Sequence, residues 1–306
     1  MTATKDDAGR RLDRVIRKAR PDFALSYIHR LFRKGKIAVN GCCKPAAYRL
    51  REGDDIIINN KEDTPQPEKA SAASGAPLVI VRETEHLLFI DKPAGLAVHS
   101  GRCGKMSLDT LVHTYLSGRI DRSLSFRPGP LHRLDQGTSG LITFSKTLAG
   151  AQSFSEALKA GGIRKTYLAV LNGHLEGEAF WADMLVRDRR CRTTRPAAAS
   201  VAGAKKALTE VKALSSGRGH TLAAIMPLTG RTHQIRAQAA LHGHPLTGDT
   251  KYGGAAGGRK GFFLHAAMLE LPAALFEHSA GTVTIRCPPP QNTLLDVMPE
   301  IKEMPW

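Results

Sequence analysis

Three short segments of this 306-residue chain carry more charged and polar punctuation than folding alone requires. The first, Leu131-His132-Arg133-Leu134-Asp135-Gln136-Gly137-Thr138-Ser139-Gly140, runs from a strand end through a Gly-rich turn into the apolar strand 141–145. Asp135 therefore sits where the chain enters a buried sheet. A carboxylate there is desolvated, which raises its pKa unless a cation or hydrogen bonds hold it ionised. The alternative is an Asp that only stabilises its own turn. The second segment, Leu228 to Arg236, reads LTGRTHQIR and joins an apolar strand to a helix. Arg231 and Arg236 both lie near the helix start, where the macrodipole disfavours cations, so an anionic partner is expected. Asp135 is a candidate, and a bidentate guanidinium would keep it deprotonated near neutral pH. The third, Arg164-Lys165-Thr166-Tyr167, opens the strand 168–171. A Tyr there can stack on a nucleobase and bring a hydroxyl near a sugar, although core packing is the ordinary fate of such a residue.

Other chemistries fit less well. Ser139, His132 and Asp135 are too close along one strand and turn to converge as a hydrolase triad. His132, His233, His242, His244 and His265 show neither an H-E-x-x-H arrangement nor a thiol partner at ligand spacing, so no metal is expected. No P-loop is present, and the glycines after Tyr252 do not form a dinucleotide fingerprint. No redox or nucleotide cofactor is expected.

The elements that must position these groups divide into two parts. Residues 59–77, NNKEDTPQPEKASAASGAP, lack apolar periodicity and read as a linker. The domains expected are therefore 1–60, a linker at 61–77, and 78–306. In the first, Leu12, Val15, Ile16 and Ala19 recur at helical spacing until Pro21. A second helix is expected from Ser26 as N-cap to Gly35. Strand residues 36–39 then lead into Asn40-Gly41, a strong hairpin signal, and 56–58 supply another strand. In the larger part, strands at 79–81, 87–90, 141–145, 167–171 and 222–226 alternate with helices at 107–116 and 147–159, the latter capped by Thr147. The mixed order predicts an α+β domain with a mixed, largely antiparallel sheet.

Charge points to the partner. The formal net charge is +16, and a polyanion is the leading explanation. Residues 1–58 hold 14 Lys or Arg against 7 Asp or Glu, so positive charge is concentrated there. The five cysteines are odd in number and show no C-x-x-C spacing, which fits a reducing cytoplasm. The charged N-terminus lacks the apolar stretch of a secretory signal, and no window reaches the roughly 18 apolar residues of a membrane span.

Two resemblances sharpen these readings. SYIHRLFRKGKIAVNG with LREGDDI resembles the S4-type RNA-binding domain over about 55 residues; it implies RNA contact through Arg30, Arg33, Lys34 and Lys36. IDKPAGLAVH (90–99), HRLDQGTSG (132–140), RKTYLAV (164–170), TGRTHQIR (229–236), GD with KYGG (248–254) and LHA (264–266) together resemble the pseudouridine synthase family, in the branch with the H-R-L-D box. That resemblance implies isomerisation of uridines in RNA, in particular large-subunit ribosomal RNA, without cofactor or metal. It matches Asp135 to the catalytic aspartate, which acts on the ribose as a nucleophile or through a glycal-type path. It matches Tyr167 to the tyrosine that stacks on the base and can move a proton, and Arg231 to the arginine paired with the aspartate. Arg133 matches the arginine that fills the space left by the flipped nucleotide, and Leu264 the apolar residue beneath the base. Gln238 departs from the family, which usually has His there.

A non-catalytic RNA-binding or ribosome-assembly factor would account equally well for the basic N-terminal part, but not for an intact catalytic set. Electrostatic binding of RNA makes a direct prediction. Affinity for RNA should fall at least about tenfold between roughly 50 and 200 mM salt, because several phosphates are neutralised; a filter-binding series that shows no salt dependence would contradict it.

Overall fold

The computed structural model describes residues 1–59, 77–99, 106–188, 190–254, 261–276 and 280–289. Apart from Pro77, the expected linker at 61–77 lies outside them.

The N-terminal unit forms as its apolar spacing dictates. Helices α1 (Leu12–Ala19) and α2 (Leu25–Arg33) pack on a small antiparallel sheet of β1 (Ile37–Val39), β2 (Cys42–Cys43) and β3 (Ile56–Ile58), ordered β2-β1-β3. Leu12, Val15, Ile16, Ile28, Leu31, Val39 and Ile56 make its core. Asn40 and Gly41 both take positive φ, 51° and 76°, as a tight hairpin turn between Val39 and Cys42 requires. Helix α2 starts two residues earlier than expected. Ala24 is the N-cap, its carbonyl accepting from Ile28, and Ser26 lies inside the first turn.

The larger unit is built on one sheet. Its strands, with intervening helices, are β4 (Val79–Glu83), β5 (Leu87–Lys92), α3 (Leu108–Leu116), β6 (Gly129–Pro130), β7 (Ser139–Ser145), α4 (Leu148–Lys159), β8 (Arg164–Asn172), β9 (Glu178–Asp188), β10 (Thr193–Pro196), β11 (Lys205–Gly217), β12 (His220–Pro227), α5 (Gln234–Leu241), β13 (Leu264–Pro272) and β14 (Thr282–Arg286). The order is β10-β9-β11-β12-β8-β13-β7-β5-β4, with β14 on β13 and β6 on β7. Among the described strands only β7 and β13 pair in parallel; the rest are antiparallel, as an α+β reading expects. The central strands are buried on both faces, which explains their uninterrupted apolar runs. Phe154 of α4 and Val112 of α3 cover one face, and Leu168, Val170, Leu222 and Phe263 fill the other. Ser107 and Thr147 cap α3 and α4 by accepting from Thr110 and Gly150.

The long strands β9 to β11 were not read from the sequence. Buried Ala207, Thr209 and Val211 alternate with exposed Lys206, Glu210 and Lys212 only approximately, and a polar outer face leaves no apolar run to find.

The parallel contact of β7 with β13 holds the turn bearing Asp135 against the strand bearing Leu264. It depends on Gly140, whose φ is +98° and where a Cβ would sit 2.3 Å from the Ala266 carbonyl oxygen. Gly140→Ala should therefore cost more than about 2 kcal/mol, since strain and a backbone clash add. An unchanged midpoint in denaturant unfolding would contradict this.

Candidate active site

Asp135 stands in the turn that feeds β7, and buried Lys92 organises the loop opposite. Its ammonium donates to the carbonyls of Pro93 and Leu96, both at 2.9 Å, and of Gln136 at 3.1 Å. Gly95 and Gln136 tie the two loops together, N to O at 2.8 Å and Nε2 to O at 2.9 Å. Burial draws the Lys92 pKa down to about 8, against the pull of Asp135 and Asp91.

The cation on Asp135 is Arg236, not Arg231. The Arg236 side chain is 8% exposed, and its Nη1 donates to Asp135 Oδ2 at 3.3 Å. Its Nε and Nη2 grip Asp249 at 2.7 and 2.8 Å. The rings of Tyr252 and Phe262 lie 4.9 and 4.3 Å from its Cζ. Burial works against the charge, but the two carboxylates outweigh it and hold the guanidinium above its ordinary pKa. Arg231 is exposed, and its Nε donates to the Lys206 carbonyl at 2.9 Å. The reason is local. His233 takes a left-handed conformation, φ 52°, at the N-cap of α5, so the chain reverses between the two arginines. Arg231 then faces β11, while Arg236, in the helix's first turn, faces inward.

That strained turn also aims His233. Tyr252 Oη accepts from the Thr194 amide at 2.8 Å and meets His233 Nδ1 at 2.8 Å. A phenol that donates to Nδ1 leaves Nε2–H to face Asp135 Oδ2 at 3.9 Å. Burial lowers the His233 pKa to about 4, despite Asp135, so the ring is neutral near pH 7.

Tyr167 is buried on β8, where burial and the Asp135 charge push its phenol up and keep it protonated. Lys165, two residues earlier on the same face of the strand, is lowered by desolvation. Asp135, Tyr167, Arg133, Leu264, His233 and Arg236 line one cavity of about 250 Å³, and Arg231 also borders it without reaching Asp135. That is near the low end of small-molecule sites, roughly 300–1,000 Å³, so it suits a single nucleoside and not a duplex. Arg133 is exposed at its rim, and Leu264 is 5% exposed on β13. Arg30, Arg33, Lys34 and Lys36 are all exposed on α2 and the turn after it, apart from this cavity.

Gln238 has a structural task. It is fully buried, donates to Asp183 and to the Trp181 and Ala207 carbonyls, and accepts from Thr209 at 2.6 Å, fastening α5 to β9 and β11. Ser139 bonds His265 Nδ1 at 2.9 Å instead of His132, so no triad forms. His132 stacks on Phe154, and burial drives its pKa to about 3. Among the described residues, no three potential metal ligands converge, and no helix is long and apolar enough to cross a membrane. The sequence reading missed Asp249, His233 and Tyr252. Asp249 and Tyr252 were signalled only by GD and KYGG, and His233 only by its place inside TGRTHQIR.

Residues 86–241 match the family model described as RNA pseudouridylate synthase. The chain is 30% identical over 311 residues to the ribosomal large subunit pseudouridine synthase C of Salmonella typhimurium, covering 95% of this chain and 92% of the relative. Identity to the protein of the same name from Escherichia coli strain K12 is 31% over 288 residues, covering 87% and 86%. Among solved structures, human RNA Pseudouridylate Synthase Domain Containing 1 superposes with a TM-score of 0.57 at 25% identity, over 71% of this chain and 86% of that one.

Removing the shared cation would leave Asp249, 1% exposed, as an uncompensated buried charge. Arg236→Ala should therefore destabilise the fold by roughly 3–5 kcal/mol, whereas Arg231→Ala should stay within about 1 kcal/mol as an exposed change. Equal losses in denaturant titrations would contradict the assignment.

Proposed function

Because the chain belongs to the RNA pseudouridylate synthase family, and so isomerises uridine in RNA, we propose that its target lies in large-subunit ribosomal RNA and that Asp135 is the group that acts on the ribose. The observation that carries this is Asp135 held by Arg236 in a nucleoside-sized cavity shared with Tyr167. The relatives' substrate, as their names give it, is the large ribosomal subunit.

The chemistry follows from the geometry. The N1–C1′ bond breaks, the freed uracil turns, and a C5–C1′ bond forms while C5 loses a proton and N1 gains one. Atoms and electrons are conserved, so the reaction calls for no redox or group-transfer cofactor. Asp249 takes the two short bonds of Arg236 and leaves Asp135 one longer bond. The carboxylate is thus oriented without being saturated, and can either attack C1′ or take the C2′ proton on a glycal-type path. Tyr167 offers a protonated phenol and a ring face to the base, and Leu264 an apolar floor. Extruding a uridine from its stack costs a few kcal/mol, which stacking on Tyr167 offsets, while Arg133 at the rim occupies the vacated position.

The N-terminal unit is read as an S4-type domain whose Arg30, Arg33, Lys34 and Lys36 meet phosphates, which position RNA without reading sequence. Free, exposed Cys42, Cys43 and Cys191 suit a reducing cytoplasm, where ribosomal RNA is at hand.

Asp135→Asn keeps the shape of the side chain and removes its charge. Pseudouridine formation on large-subunit RNA, read by carbodiimide mapping, should drop by at least about 10³, with RNA affinity within about tenfold. Full activity of this variant would overturn the proposal.

A further inference from the structure

An acidic pair outside the cleft joins the two units. Asp7, in the N-terminal unit, is 0% exposed. It accepts four hydrogen bonds from the 123–125 loop of the larger unit: from Ser123 Oγ at 2.9 Å, Leu124 N at 3.0 Å, Ser125 N at 2.9 Å and Ser125 Oγ at 2.5 Å. Thr4 supplies two more, from N at 3.1 Å and Oγ1 at 2.9 Å. Asp6 Oδ1 accepts from the Leu148 amide at 3.1 Å, in the first turn of α4. Arg10 Nη1 donates to the Ser125 carbonyl at 3.2 Å and to its hydroxyl at 2.8 Å. Between these contacts, Leu124 packs against the apolar core of the N-terminal unit.

Such a contact is more than two surfaces touching. Burial works against the Asp7 charge, but the bonds from Ser125, Leu124, Thr4 and Ser123 outweigh it and keep the carboxyl below its ordinary pKa. Every donor facing it is committed to an anion, and an amide in its place would set a second donor against them. Residues more than a hundred positions apart are thereby locked together.

We propose that Asp6, Asp7 and Arg10 form a clasp that fixes the N-terminal unit on the catalytic body, so that the basic face of α2 and the uridine cleft act as one RNA-binding surface of set spacing. The spacing selects target uridines. An RNA that reaches both sites pays the ordering cost once, whereas a freely tethered unit would lose that effective concentration. This role in selection rests on α2 as an RNA-contacting face; the docking itself does not.

Hydrogen exchange and kinetics on the full chain test both parts. In the wild type, the amides of Leu124, Ser125 and Leu148 should be protected, and Asp6→Asn with Asp7→Asn should speed their exchange at least about tenfold while β5 and β7 stay protected. On a long large-subunit RNA transcript, kcat/KM of the double variant should fall at least about tenfold, yet stay within about twofold on a short hairpin carrying the same uridine. Should the double variant also lose protection in β5 and β7, Arg10→Ala, which leaves both carboxylates in place, should give the same order of effects at smaller size. Free exchange at these amides in the wild type would overturn the clasp, and so would equal loss on both RNAs or no loss on the long one. A wild type inactive on both RNAs would instead refute the proposed substrate, leaving the exchange data to decide the docking.

Discussion

One guanidinium shared by two carboxylates organises the catalytic half of this protein. Burying an Arg costs several kcal/mol unless its donors and its charge are matched. Arg236 is matched by Asp249, which holds it, and by Asp135, which it holds. The rings of Tyr252 and Phe262 flank it and exclude water. These partners come from three other segments, so α5, the 248–254 turns, β13's approach and the turn before β7 are all placed by one requirement. The left-handed His233 belongs to it too, since that reversal puts Arg236 on Asp135 and leaves Arg231 on the Lys206 carbonyl.

Unequal sharing is what makes the arrangement useful. A carboxylate gripped by both guanidinium nitrogens is a poor nucleophile and a poor base. Asp249 absorbs that grip, and Asp135 keeps free lone pairs beside a neutral imidazole and a neutral phenol. Lys92 completes the frame through backbone carbonyls, which accounts for its burial in an apolar strand end.

Much of this was legible in the residues. The apolar spacing of α1, the Asn40-Gly41 turn, the Thr147 cap and the run at 141–145 follow local rules, and each forms where those rules put it. Asp135 could be singled out because a polar turn interrupts buried strands. The resemblance picked Arg231 and the structure corrects it to Arg236; the residues alone left the two open, because proximity to Asp135 depends on one residue's φ and on Asp249, thirteen positions away. The docking of Asp7 on Ser123 to Ser125 was hidden for a similar reason: two adjacent acids at a helical start look like a solvated surface until the partner loop is known.

The central claim is that Asp249 acts on catalysis only through Arg236. A double-mutant cycle with Asp249→Asn and Arg236→Lys, read by single-turnover pseudouridine formation, addresses it directly. The account predicts that either change alone costs nearly as much as both together, because each breaks the same unit. Additive losses would show that the two residues work independently, and would contradict it.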